Sequence, residues 1–113
     1  MRASTKTIRP GDFWLASVPY TNGSGAKIHP VLVLWLDGQD AIVATVTSAA
    51  PRTSTDILLN DWQASGLKLP SALRLSRLAC LHQALLHTQK GHISNADARR
   101  VKDIWAKHIK PQF

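Results

Sequence analysis

Glutamate is absent from this 113-residue chain; all seven acidic residues are aspartates. Cysteine occurs once, at Cys80, which excludes an internal disulfide and fits a reducing, cytoplasmic setting. No apolar run approaches the roughly 20 residues that span a bilayer, so no membrane partner is expected. The basic stretch Met1 to Lys6 leads into no apolar segment or cleavage site, and no signal peptide is expected. Internal repeats, low-complexity tracts and linkers are missing as well. What the chain has in surplus is positive charge. Fourteen Lys and Arg against seven Asp give a net charge of +7, with an isoelectric point near 10.2. Such a field attracts polyanions, nucleic acid above all and an acidic protein after it. The length suits one domain able to bury roughly two thirds of its unfolded surface. Residues 1–8 are expected to form a flexible lead, and 9–113 a single domain.

The clearest local pattern is a hairpin. Val31 to Leu36 is a β-branched and apolar run, Ala41 to Val46 is its partner, and Asp37-Gly38-Gln39-Asp40 supplies the turn. Polar residues flank both runs at the same end: Lys27 and His29 enter the first, Thr47 and Ser48 leave the second. Antiparallel pairing lays these ends side by side, so an ammonium, an imidazole and two hydroxyls are expected at one rim of the sheet.

Around the hairpin, Phe13 to Val18 reads as a first strand after the turn chemistry of Arg9-Pro10-Gly11-Asp12. Pro19 to Ala26 is a glycine-rich polar loop. Within it Tyr20 is either a half-buried anchor or a platform for stacking on an RNA base. Ala49 to Thr55 is a second loop, containing Arg52. Asp56 to Leu59 is a short strand. Asn60 to Gly66 reads as one helical turn, capped by Asn60 and stopped by Gly66. Ser71 to Leu75 is a strand, Arg77 to Leu86 is ambiguous between strand and helix, and Gln89 to Ile93 is turn-like. The final helix is signalled most strongly. Ser94 is its N-cap, Asp97 holds the capping-box position, and Val101, Ile104, Trp105 and His108 share one face.

In order and spacing, these motifs resemble the MazF/PemK/Kid toxins of bacterial type II toxin–antitoxin systems. The resemblance is carried by Gly11-Asp12-Phe13-Trp14-Leu15, Pro19-Tyr20, Pro30-Val31-Leu32-Val33-Leu34 and Val46-Thr47-Ser48. Asp61-Trp62, Gly66-Leu67, Pro70-Ser71, Arg74-Leu75 and Gly91-His92-Ile93-Ser94 extend it toward the PemK-like branch, over about residues 9 to 109. It implies a mainly β, SH3-like barrel with small helices and a C-terminal helix. It also implies a homodimer acting as a metal-independent endoribonuclease that cuts single-stranded RNA at short sequences, leaving 2′,3′-cyclic phosphate and 5′-hydroxyl ends. The implied partners are a cognate acidic antitoxin and, for the toxin–antitoxin complex, promoter DNA. No cofactor is implied.

Carried over by position, the resemblance is uneven. The arginine that usually precedes the proline of the second strand is His29 here. The threonine and serine are retained as Thr47 and Ser48. Of the arginine and aspartate two residues apart in Kid-like members, the arginine is Arg74 and the aspartate is Ser76.

RNA cleavage of this type needs a base for the 2′-hydroxyl, cations for the phosphorane and a proton for the leaving 5′-oxygen. His29 titrates in the right range, whereas arginine holds charge but does not readily release a proton. His29, Thr47 and Arg74 are therefore the candidate catalytic residues. Tyr20, Lys27, Ser48, Arg52, Ser76 and Arg77 are the candidate RNA contacts, Ser76 only as a hydrogen-bonding group. Each carries a structural alternative: Arg74, for example, is also placed to pair with Asp12 or Asp56. Cys80, His82, His87 and His92 fit no standard zinc spacing, and no metal site is assigned. The competing function is a nucleic-acid- and antitoxin-binding module that keeps the groove without turnover. A peptide-binding scaffold would leave the charge unexplained.

Overall fold

Three consecutive strands are apolar on both faces, and that dictates the architecture. Along β1 (Asp12–Pro19), Phe13 is buried in one cluster and its neighbour Trp14 in the other. In β2 (Ala26–Asp37), Leu32 faces the first cluster while Val31 and Val33 face the second. In β3 (Asp40–Thr47) the same alternation separates Ala44 and Val46 from Ala41 and Val43. Side chains alternate across a strand, so a continuous apolar run means a sheet covered on both sides.

The computed structural model describes residues 7–19 and 22–113. After β3 come β4 (Asp56–Leu58), β5 (Ala72–His82), a 3-10 turn (Gln83–Leu85), β6 (Leu86–His92) and helix α1 (Asn95–His108). The strands form one antiparallel sheet in the order β4-β5-β3-β2-β1-β6. The sheet curls like a barrel without its edge strands pairing. Ile8, at the end of the expected lead, is 7% exposed and packs in the second cluster.

Closure comes instead from a backbone contact. The turn after β4 lies directly on β6: a Cβ on Gly66 would stand 1.9 Å from the Lys90 carbonyl oxygen, and one on Gly91 2.1 Å from that of Ser65. Neither position has room for a side chain. Gly66 also has φ +88°, and it ends the expected helical turn. Its N–H donates to Gln63 O at 3.1 Å, and the Leu67 N–H donates to Trp62 O at 3.0 Å. This paired closure is the usual end of a helix at a left-handed glycine.

Several local expectations are corrected. Asn60 does not cap a helix. Its N–H and that of Asp61 donate instead to the Asp97 carboxylate, at 3.2 and 2.9 Å. Asp97 is fully buried, and Arg100 adds a third bond at 3.0 Å. Ser94 does cap α1, accepting from the Asp97 N–H at 3.1 Å. His108 is exposed; the packed face is Ala98, Val101, Ile104 and Trp105, with Ile109 just beyond. The ambiguous segment Arg77 to Leu86 continues β5 up to His82, and the expected turn at Gln89 belongs to strand β6. β2 begins at Ala26 rather than Val31, because Ala26 to Pro30 pair with Pro19 to Leu15 of β1.

Candidate functional site

The rim foreseen at the open end of the hairpin exists. β2 pairs with β3 through Val31 opposite Thr45, which carries His29 and Thr47 to the same edge. These two residues form the saddle between two adjoining recesses. The larger, about 480 Å³, is lined by Lys27, His29, Thr47, Ser48, Ser71, Lys68 and Lys90, with Leu15, Pro30 and Leu67 as apolar lining and Leu69 at the edge. The smaller, about 320 Å³, is lined by His29, Thr47, Arg74, Arg77 and neighbouring strand residues. Among the described residues, five cations and no carboxylate line the pair.

An irregularity in β5 places the arginines. Ala44 of β3 faces Leu78, but the next residue, Thr45, faces Arg74. Three residues, Leu75 to Arg77, therefore have no partner on β3. Such a bulge bends the strand and re-aims its side chains. Arg74 turns into the smaller recess, half-buried, and Arg77 is exposed at its wall. Behind Arg74 stands Asp56, its register partner on β4. The Arg74 Nε lies 3.7 Å from Asp56 Oδ1, with the aspartate side chain only 2% exposed. Neither atom has a closer hydrogen-bonding partner. The other oxygen, Oδ2, accepts from the Arg52 N–H at 2.9 Å. The pairing to Asp56 weighed from sequence is thus present, and Arg74 lines the recess as well.

Thr47 is held ready to donate. Its Oγ1 accepts the Ala49 N–H at 3.1 Å, which fixes the oxygen and leaves the hydroxyl hydrogen for another acceptor. His29 sits partly buried opposite Ala16. Burial, and then the charge of Lys27, push its pKa below the ordinary imidazole value. Both causes penalise the imidazolium, so neutral His29 is favoured at neutral pH.

Of the residues picked out by sequence, Lys27, His29, Thr47, Ser48, Arg74 and Arg77 come together. Arg52 and Ser76 line neither recess: Arg52 serves through its backbone, and Ser76 is exposed on the bulge. Tyr20 lies outside the described residues. Lys68 and Lys90 were missed, since their place depends on the Gly66–Gly91 contact between segments 25 residues apart. Among the described residues no group of three or more His, Cys, Asp or Glu is arranged to hold a metal ion. Among the described residues, no helix is long and apolar enough to cross a membrane.

A curled antiparallel sheet with a C-terminal helix packed against one of its two clusters, and a cationic two-lobed cleft at the end of its central hairpin, defines a small β-barrel-like protein. The chain belongs to the PemK-like, MazF-like toxins of type II toxin–antitoxin systems, a family that matches residues 9–108. An endoribonuclease from a mycobacterial species superposes with a TM-score of 0.73 at 11% identity, covering 96% of each chain. The Mycobacterium tuberculosis toxin MazF-mt6 gives 0.69 at 17% identity, over 85% of this chain and 93% of that one. A mycobacterial endoribonuclease in complex with its cognate antitoxin gives 0.71 at 14% identity, over 89% and 93%. At these identities the solved structures establish the fold. No curated protein sequence matches the chain.

Proposed function

We propose that this toxin is an endoribonuclease that cuts single-stranded RNA at short sequences by transesterification, without a metal ion. The observation that carries this reading is the cleft itself: neutral His29 and the Thr47 hydroxyl stand between two cationic recesses that, among the described residues, no carboxylate lines. With Ser76 turned away on the bulge, His29 is the group available to accept the 2′-hydroxyl proton. The 2′-oxygen then bonds to phosphorus, giving a 2′,3′-cyclic phosphate. The P–O5′ bond breaks, and the 5′-oxygen leaves as a hydroxyl with a proton from water. Arg74 and Arg77 hold the charge that builds on the non-bridging oxygens. Thr47 donates to one of them, and Lys27 adds field from the other side. Tyr20 and Ser48 complete the contacts to the strand. Neither Arg52 nor Ser76 is given a direct contact.

The solved mycobacterial relative bound to its cognate antitoxin supports an acidic antitoxin as partner here, and the charge of +7 fits it. Promoter DNA would be met as the toxin–antitoxin complex in the cytoplasm. The exposed apolar residues around Trp35, and Leu78 in the segment Arg77 to Leu86, are candidate contacts for a second copy, and a monomer in sedimentation at high concentration would remove that assignment. One observation favours a second reading, a binding module without turnover: the aspartate position of Kid-like members is Ser76, and it faces solvent. Incubating long single-stranded RNA with the protein separates the two. Cuts recurring at one short sequence support the enzyme, and intact but bound RNA supports the module.

A further inference from the structure

We infer that the larger recess is a nucleotide subsite beside the cleaved bond, with Lys68 and Lys90 clamping one backbone phosphate there. This rests on the ribonuclease reading and specifies where the strand continues. Three lysines, Lys27, Lys68 and Lys90, line this recess together with the hydroxyl residues Ser48 and Ser71. Part of its lining is apolar, and Leu69 is 58% exposed at its edge. A nucleotide has the same two-part chemistry: an anionic phosphate beside a flat, largely apolar base. The volume of about 480 Å³ falls inside the range of about 300–1,000 Å³ typical of small-molecule sites.

The position of the recess is as informative as its lining. His29 and Thr47 border both recesses, so a strand with its reacting phosphate at Arg74 and Arg77 must continue over the saddle toward the lysines. The lysine pair is also a built feature. Lys90 lies in β6, and Lys68 follows the turn that closes at Gly66. The glycine contact between Gly66 and Gly91 brings these segments to backbone contact, with no space for any side chain. The closure that replaces strand pairing at the sheet edge thereby sets the spacing of the clamp.

The test is a cycle between protein and substrate. A short single-stranded RNA carries a neutral methylphosphonate at one position at a time, and affinity is measured by fluorescence anisotropy for wild type and for K68A/K90A. Wild type is expected to lose affinity at one position flanking the cut. K68A/K90A is expected to bind unmodified RNA at least tenfold more weakly and to be indifferent to the methylphosphonate at that same position. Its dependence of log affinity on log salt should fall by about 0.7, the slope for one neutralised phosphate on a single strand. The charge-retaining K68R/K90R should restore sensitivity, and unchanged thermal melting would show that β6 is intact. If wild type has sensitive positions and the lysine variant loses equally at all of them, the subsite is wrong while RNA binding stands. If no position is sensitive in wild type, both the subsite and the ribonuclease reading fall.

Discussion

Replacing Gly91 by alanine tests how the fold makes the site. The new Cβ would stand 2.1 Å from the Ser65 carbonyl oxygen and 2.6 Å from its carbon. Ordinary contact needs more than 3 Å, so β6 and the turn must separate by about 1 Å. Overpacking of this kind typically costs about 1–3 kcal/mol. For a chain of this size each kcal/mol lowers the melting temperature by about 4 °C, giving a fall of about 4–12 °C. The movement separates Lys68 from Lys90 and leaves β2, β3 and β5 in place. KM for RNA should therefore rise several-fold while kcat changes little. The control is Gly38→Ala, at φ +60° with no atom within 4 Å of the added Cβ. It costs about 1–2 kcal/mol in left-handed strain, in the hairpin turn remote from the cleft. Melting curves and steady-state cleavage of a short RNA read both effects. If the two variants lose similar stability and neither changes KM, the glycine contact does not hold the clamp, and the link from closure to site fails.

Asp97→Asn should destabilise the protein by about 2–4 kcal/mol, measured by urea unfolding, because its carboxylate receives two backbone N–H groups and Arg100. A loss below about 0.5 kcal/mol would mean the turn is held otherwise. Asp56→Asn retains an oxygen for the Arg52 N–H but removes the charge facing Arg74. It should lower kcat about tenfold, equivalent to roughly 1.4 kcal/mol, with KM nearly constant; an equal rise in KM instead would make Asp56 a purely structural residue. The proposed base, His29, requires the neutral imidazole, and its pKa lies below the ordinary 6.5. The acidic limb of kcat/KM against pH should therefore fall below pH 6.5, and Lys27→Met, which removes the second cause, should move it upward. A limb unmoved by Lys27→Met would show that another group titrates. By the same sign, the unfolded chain binds the proton more readily. The stability that neutral His29 lends is complete above pH 6.5 and is lost as pH falls through the folded pKa.

The centre of the candidate cleft was legible because its polar residues sit at the ends of an unmistakable hairpin. Lys27, His29, Thr47 and Ser48 flank two apolar runs, and antiparallel pairing alone brings them together. Arg74 was found through its place in a resemblance, and the fold shows why the bulge after it matters. Ser76 faces solvent together with Arg77, and these two consecutive polar residues, which break the alternation of Leu73, Arg74 and Leu75, are the local trace of the bulge. Asn60 looked like an N-cap because its type suits that role. Its backbone is instead bonded to Asp97, 37 residues away, a tertiary contact invisible to local reading. The segment around Gln89 read as a turn because Gly91 looked like turn chemistry. Its glycine is required for a close approach rather than a bend. Lys68 and Lys90 stayed hidden for the same reason, since their neighbourhood depends on where two backbones touch.

The most direct test of the account is cleavage of a long single-stranded RNA by the purified protein in EDTA, beside His29→Ala and Arg74→Ala. The account predicts cuts at one short recurring sequence, ending in 2′,3′-cyclic phosphate and 5′-hydroxyl. Each substitution should slow cleavage by about 100-fold or more, the usual loss when a base or a charge-stabilising group is removed. RNA that is bound but uncut by wild type, or cut as well by His29→Ala as by wild type, would contradict it.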